Sequence, residues 1–383
     1  MSRRVIVAGA TGIVGSAAAA RFAEAGWEVH GLARSAPAQK LAGVRYHRVD
    51  LKDAANCDAI ARTIGPVGHI VYAAIHEVAG SLVESWTDTG HVARNAAMLE
   101  NLLEPVLAAS PDFAHIAIMH GTKAYALHLR EQGRPPVPLK EQSPRIVHDN
   151  FYFAQEDYVS ARARAESWSW TIFRAPMILG GGVGSNLNVM LAIAVFAALR
   201  RAQEIDLPYP GPATFAGVTD MVDVDLVADA MLWAADAGAA RNTIFNIANG
   251  DAYIWPDLWG VIADAAGVQR GVDAVISMAE AARDASALWE QLVEQHGLAA
   301  PADLRAFLGE SFVLADFTLL TPWPALLSTI RLREAGFDGC ADTAAAIRKW
   351  FDRWRTARLL PPRDAERGTP TQQNEHQALE KPA

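Results

Sequence analysis

Apolar and polar positions along this chain follow two rhythms. Residues 4–34, RVIVAGATGIVGSAAAARFAEAGWEVHGLAR, read as a buried strand, a glycine turn, an alanine-rich helix and a second strand. Apolar runs return at HIVYAAI (69–75) and HIAIMHG (115–121), separated by a helical stretch at 92–109. WTIFRAPMILG (170–180) reads as a further strand that leaves the sheet through a Pro/Gly-rich loop. Such strand–helix alternation predicts an α/β fold: a parallel, doubly wound sheet covered on both faces.

The order changes after about residue 180. Helical spacing dominates, NTIFNIANG (242–250) forms a late strand, and tryptophans gather at Trp255, Trp259, Trp289 and Trp323. The expected organisation is a nucleotide-binding domain over 1–180, with later segments at about 215–250 returning to it. A smaller, mostly helical lobe over 181–360 would cap the sheet and hold substrate. GRPPVPLKEQSPR (133–145) is proline-rich and reads as an excursion from the sheet. The polar, proline-containing tail at 361–383 is expected to be disordered.

Composition narrows the class. A net charge of −9 argues against a nucleic-acid partner, which needs a concentrated basic surface. The longest apolar run, VMLAIAVFAAL (189–199), is shorter than the roughly 20 residues that span a bilayer, so no membrane span is expected. Two cysteines, Cys57 and Cys340, are too few for a disulfide framework or a thiolate metal site. The first residues run directly into a strand pattern rather than a leader, and a reduced, cytoplasmic, soluble protein is expected.

The first chemical signal is GATGIVG between a strand and a helix. Gly9 permits the tight turn, Gly12 lets the backbone approach a pyrophosphate, and Gly15 allows close helix–strand packing, with Thr11 and Ile13 between them. The helix N-terminus then faces the phosphates of a dinucleotide, as in a Rossmann-type domain. The second strand ends in GLARSAP, placing Arg34 and Ser35 where NAD-selective sites carry a carboxylate. A guanidinium there suits a 2′-phosphate and predicts NADPH. Asp50 and Leu51, after the third strand, lie where an adenine edge passes, although an ordinary helix cap would use the same residue types.

A second signal is HDNFYFAQED (148–157), whose Tyr152 is followed four positions later by Glu156 and not by a lysine. GATGIVG, GLAR, HGTKAY, NFYFAQED and FNIANGD, with the tryptophan-rich stretch after them, resemble in order and spacing the progesterone 5β-reductase/iridoid synthase family. These are atypical extended short-chain dehydrogenases/reductases. The resemblance covers roughly 4–355 and implies NADPH-dependent 1,4-reduction of small apolar enones or enals. It also implies that the catalytic lysine comes from an earlier strand end. Carried over, the pair is Tyr152 and Lys123, the latter 29 positions upstream. It places Ala74, Ile178 and Ser185 against the cofactor, beside Lys123 and Tyr152 themselves. Ile75 stands where an aromatic is often found, and His120 where a threonine is usual. His120 is read as a strand-end residue rather than a second donor.

The chemistry agrees with this pairing. Hydride arriving at a β-carbon pushes charge onto the carbonyl oxygen, and a phenol donating to that oxygen stabilises the enolate. A nearby ammonium is expected to make the phenol more acidic than its reference value. Tyr158 with Arg162 has the familiar four-residue spacing and is a competing pair. Three other readings stay open: a carbonyl (1,2) reductase, a non-catalytic dinucleotide sensor and a sugar-nucleotide epimerase. The last fits an apolar, tryptophan-rich lobe poorly. Oligomeric state is left open, a homodimer included.

Overall fold

The computed structural model describes residues 3–363 apart from 38–39, 79, 81, 83, 130–134, 165, 213–216 and 321–322. The expected disorder of the tail, bar residues 361–363, and the start of the proline-rich excursion thus lie outside the described residues.

The N-terminal half alternates strongly. Its elements are β1 (Arg4–Ala8), α1 (Ile13–Glu24), β2 (Glu28–Ala33), β3 (Val44–Arg48), α2 (Ala54–Ile64), β4 (His69–Tyr72), α3 (Thr89–Ala109), β5 (His115–Gly121), α4 (Phe151–Ala163) and β6 (Ser169–Ala175). There follow β7 (Met177–Leu179), α5 (Val189–Ala202), β8 (Met221–Asp223), α6 (Val224–Asp236) and β9 (Thr243–Asn246). Seven strands form one sheet in the order β3-β2-β1-β4-β5-β6-β9, every neighbouring pair parallel. Parallel strands buried on both faces must be nearly continuous in apolar residues, and Val5–Ala8 and His69–Tyr72 are wholly buried. The edge strand β3, VRYHR, is polar and partly exposed, which discourages pairing with another chain.

The order reverses between β1 and β4. Loops leaving the two strands diverge there and open a crevice beyond their C-terminal ends, where ligands bind in this class of sheet.

The 170–180 stretch is two strands, not one. Pro176 has no amide hydrogen to donate, and after it Met177–Leu179 leaves the main sheet to pair with β8. The apolar run at 189–199 becomes α5, in which every residue from Val189 to Leu199 is buried. Burying each large aliphatic there contributes about 1.5–3 kcal/mol, so this helix anchors the second lobe.

That lobe is helical: α7 (Trp255–Ala266), α8 (Met278–Asp284), α9 (Ser286–His296), α10 (Leu304–Leu308), α11 (Ser311–Leu320), α12 (Ile330–Glu334) and α13 (Thr343–Thr356). Of the four tryptophans that gather in this region, Trp259 and Trp289 are fully buried in the core. Cys57 is buried and Cys340 exposed, both as free thiols. Among the described residues, no helix is long and apolar enough to cross a membrane.

Candidate active site

The crevice above β1 and β4 contains two adjoining cavities. The first, about 360 Å³, is lined by Gly9, Thr11 and Gly12 after β1, Arg34 and Ser35 after β2, Asp50 and Leu51 after β3, Ala74 after β4, and Ser185. The second, about 380 Å³, lies toward the helical lobe and is lined by Ile13, Lys123, Tyr152 and Ile178, among others. Gly12, Ala74, Glu77 and Ser185 belong to both walls, so the two spaces meet edge to edge.

The glycine turn fits a pyrophosphate for identifiable reasons. Gly9 has φ +81° and a side chain there would meet the Ala73 carbonyl oxygen at 2.7 Å. Gly15 lines neither cavity, yet a Cβ on it would lie 2.1 Å from the Gly9 carbonyl oxygen, so only glycine lets α1 start this close to β1. Gly12 caps α1 without a side-chain hydrogen bond, which leaves the first-turn amides open to an anion. Arg34 is exposed at the groove's edge and has no hydrogen-bond or ion-pair partner among the described residues. Asp50 is not the helix cap: Asp53 caps α2, while Asp50 pairs with Lys52 at 3.6 Å. A nicotinamide dinucleotide therefore fits the donor set present.

Tyr152 is placed by a cap. Asn150 starts α4 by accepting from the Tyr152 backbone amide at 3.0 Å, and its side-chain nitrogen donates to the Lys123 carbonyl at 2.9 Å. One side chain thus ties the tyrosine helix to the turn after β5, Thr122–Tyr125, that carries the lysine. The Tyr152 hydroxyl lies over the end of β5, where a Cβ on Gly121 would approach it to 3.3 Å. His120 is more than a strand end: its imidazole stacks on the Tyr152 ring at 4.3 Å between centroids. Gln155 donates to the Asn95 carbonyl at 2.9 Å, so its oxygen accepts from His120 Nε2 at 3.1 Å. Burial, with the Arg174 charge, pushes that imidazole down to about 3 and keeps it neutral.

Lys123 sits in an aromatic cage, its ammonium 4.6 Å from the Trp86 ring, 5.0 Å from Phe151 and 5.5 Å from Tyr152. Burial pushes this amine down to about 8, while the Glu77 charge holds it up. Glu77 is itself raised, by burial first, with Lys123 opposing. The expected acidification of Tyr152 does not occur: burial and the Glu77 charge drive its phenol well above the ordinary value, outweighing the Gly121 amide that favours ionisation. The Glu77 charge acts on both Lys123 and Tyr152 and, at the phenol, opposes the pull of the ammonium.

The competing pair is on the outer surface, where Tyr158 and Arg162 both bind Glu104, at 2.6 and 2.9 Å. Glu156, at the position of the usual lysine, pairs with buried Arg174 at 2.9 Å and with Arg145 at 2.7 Å. The sequence did not single out Glu77, Trp86, Asp220 or Tyr253, all of which line the second cavity. They lie in loops or turns, where no periodicity marks them.

The chain matches the "NAD dependent epimerase/dehydratase family" over residues 5–248. It is 30% identical over 374 residues to an (S)-8-oxocitronellyl enol synthase of Antirrhinum majus, covering 93% of this chain and 92% of that protein. It is 25% identical over 375 residues to the 3-oxo-Δ4,5-steroid 5β-reductase of Arabidopsis thaliana, with 93% and 92% covered. The UDP-glucose 4-epimerase of Thermus thermophilus, solved with NAD, superposes with a TM-score of 0.63 at 19% identity, over 92% of this chain and 99% of that one. That last likeness is one of fold. The chain therefore belongs to the NAD dependent epimerase/dehydratase family, within its extended short-chain dehydrogenase/reductase branch of iridoid synthases and progesterone 5β-reductases.

Proposed function

We propose that this oxidoreductase is an NADPH-dependent ene-reductase that reduces the C=C bond of small enones or enals. The observation carrying the reading is the Tyr152 hydroxyl at the end of β5, in a cavity that shares a wall with the dinucleotide groove. When bound, the nicotinamide supplies hydride. The first-turn amides of α1 would hold the pyrophosphate, and Arg34 the 2′-phosphate by a charge-assisted bond.

Tyr152 would donate to the substrate carbonyl and stabilise the charge that develops on its oxygen. A phenol pushed above its ordinary value suits this role, because it can donate a hydrogen bond to an enolate without surrendering its proton. The proton that then completes the saturated product at the α-carbon comes from solvent. An alkoxide, the product of direct carbonyl reduction, is a stronger base and would demand the proton itself. Ile75, Met119 and Phe317 give the cavity apolar walls that suit the hydrocarbon part of such a substrate. No arginine is found among its described lining residues, which speaks against a sugar-nucleotide diphosphate. A carbonyl (1,2) reductase would use the same phenol, and a dinucleotide sensor would need neither Tyr152 nor Lys123.

Deuterium placed at the transferred position of NADPH separates these readings. With cyclohexenone, label is expected at the β-carbon of the saturated ketone. Label at the carbonyl carbon of an allylic alcohol would refute conjugate reduction.

A further inference from the structure

The cavity has a second polar region, which the chemistry described above does not use. The segment before β8, the strand-like contact at Tyr253 and the stretch before α12 meet on one side of it. Thr219 and Tyr253 exchange two backbone hydrogen bonds of 2.9 Å, and Ala325 donates to the Val218 carbonyl at 3.0 Å. This framework fixes Asp220, whose Oδ2 accepts from the Leu327 amide at 2.8 Å.

Asp220 is only 2% exposed, and its other oxygen, Oδ1, has no partner among the described residues. The Tyr253 hydroxyl is likewise buried and without a partner. Both residues line the cavity, next to Trp255 and Thr219. They act on one another, since the Asp220 charge helps raise the Tyr253 phenol. Asp220 and Tyr253 come from the segments before β8 and α7, whereas Tyr152 and Lys123 come from α4 and the turn after β5. Unpaired buried polar groups cost roughly 1–3 kcal/mol each. Two of them on residues that line one cavity point to a ligand group that completes them.

We propose that Asp220 and Tyr253 form a distal anchor that binds a hydroxyl group on the substrate, remote from the carbonyl held by Tyr152. A hydroxyl is the group that satisfies both partners at once. Its hydrogen is donated to Asp220 Oδ1 and its oxygen accepts from the Tyr253 hydroxyl. A hydrocarbon terminus would satisfy neither. Burial pushes the Asp220 carboxyl up to about 7, so it holds either protonation state near neutrality and both can bond a hydroxyl. This deepens the ene-reductase reading and rests on it for the position of the carbonyl. The preferred substrates are then oxygenated enones or enals, and the apolar substrate expected from sequence covers only one end of the cavity.

The test uses (E)-2-enals of increasing chain length, each as a matched pair ending in methyl or in hydroxymethyl. The ratio of kcat/KM within a pair is measured for wild type, Tyr253→Phe and Asp220→Leu. Binding of the corresponding saturated aldehydes, read by quenching of tryptophan fluorescence, gives a second ratio that needs no turnover. At the best chain length the wild type is expected to favour the hydroxyl member by about tenfold or more in both ratios. Both variants should bring the ratios close to unity. Because each ratio is taken within one protein, partial misfolding lowers both members and leaves it unchanged. Equal treatment of the pairs by wild type, or an undiminished preference in both variants, overturns the anchor. Selective binding of the hydroxyl members with no turnover of any enal upholds the anchor and refutes the ene-reductase reading instead.

Discussion

The phenol of Tyr152 combines two properties that a surface tyrosine would not have. His120 stacks on its ring and Asn150 fixes its backbone, so the hydroxyl has little freedom to leave the cavity. Burial meanwhile disfavours its ionised form. Tyr152→Phe keeps the stack and the cap while removing the donor. It should lower kcat by roughly 10²–10⁴ and leave the dissociation constant for NADPH nearly unchanged. A variant with full activity on every accepted substrate would make the tyrosine structural. Part of this was legible beforehand, because HGTKAY and NFYFAQED carried a resemblance that named Lys123 and Tyr152. Glu77 was not, and neither was its effect on the phenol, since it follows β4 in an irregular loop and meets Lys123 only through the fold.

Among elements, the join between α4 and the turn after β5 governs the geometry of the reaction. Asn150 serves both, accepting from Tyr152 and donating to the Lys123 carbonyl. Asn150→Ala should cost about 1 kcal/mol of stability, the ordinary value of a lost cap. Its effect on kcat should be larger, about tenfold or more, because small misplacements of reacting groups are expensive. Asn150→Asp keeps the cap acceptor and loses the donor to Lys123, so it should recover stability but not rate. Wild-type kcat in the alanine variant would show that the two elements are held by something else. The sheet was readable because strands buried on both faces need unbroken apolar runs, and GATGIVG fixed its first turn. The split at Pro176 was not, because residues 170–180 are apolar on both sides of the break and the partner of Met177–Leu179 lies more than forty residues away.

Across the whole molecule, two lobes converge on one site, the sheet supplying the cofactor groove and the segments around β8 and α12 closing the far side of the second cavity. Asp220 belongs to that closure, and its burial makes folding respond to acidity. Its folded-state value, about 7, lies above its ordinary 3.8, so the native chain keeps a proton that the unfolded chain has released. The associated stabilisation is complete below the unfolded value and disappears as pH rises through about 7, amounting to on the order of 2–4 kcal/mol. Asparagine cannot ionise, so Asp220→Asn should gain on the wild type by that amount between about pH 4 and pH 8. Urea unfolding of both proteins across this range measures it, and the contributions of all other titrating groups cancel in the difference. A gap that does not widen with pH would mean that the carboxyl ionises normally. If it does widen, the side chain that would recognise the substrate is also one that withdraws support from the fold as the medium turns alkaline.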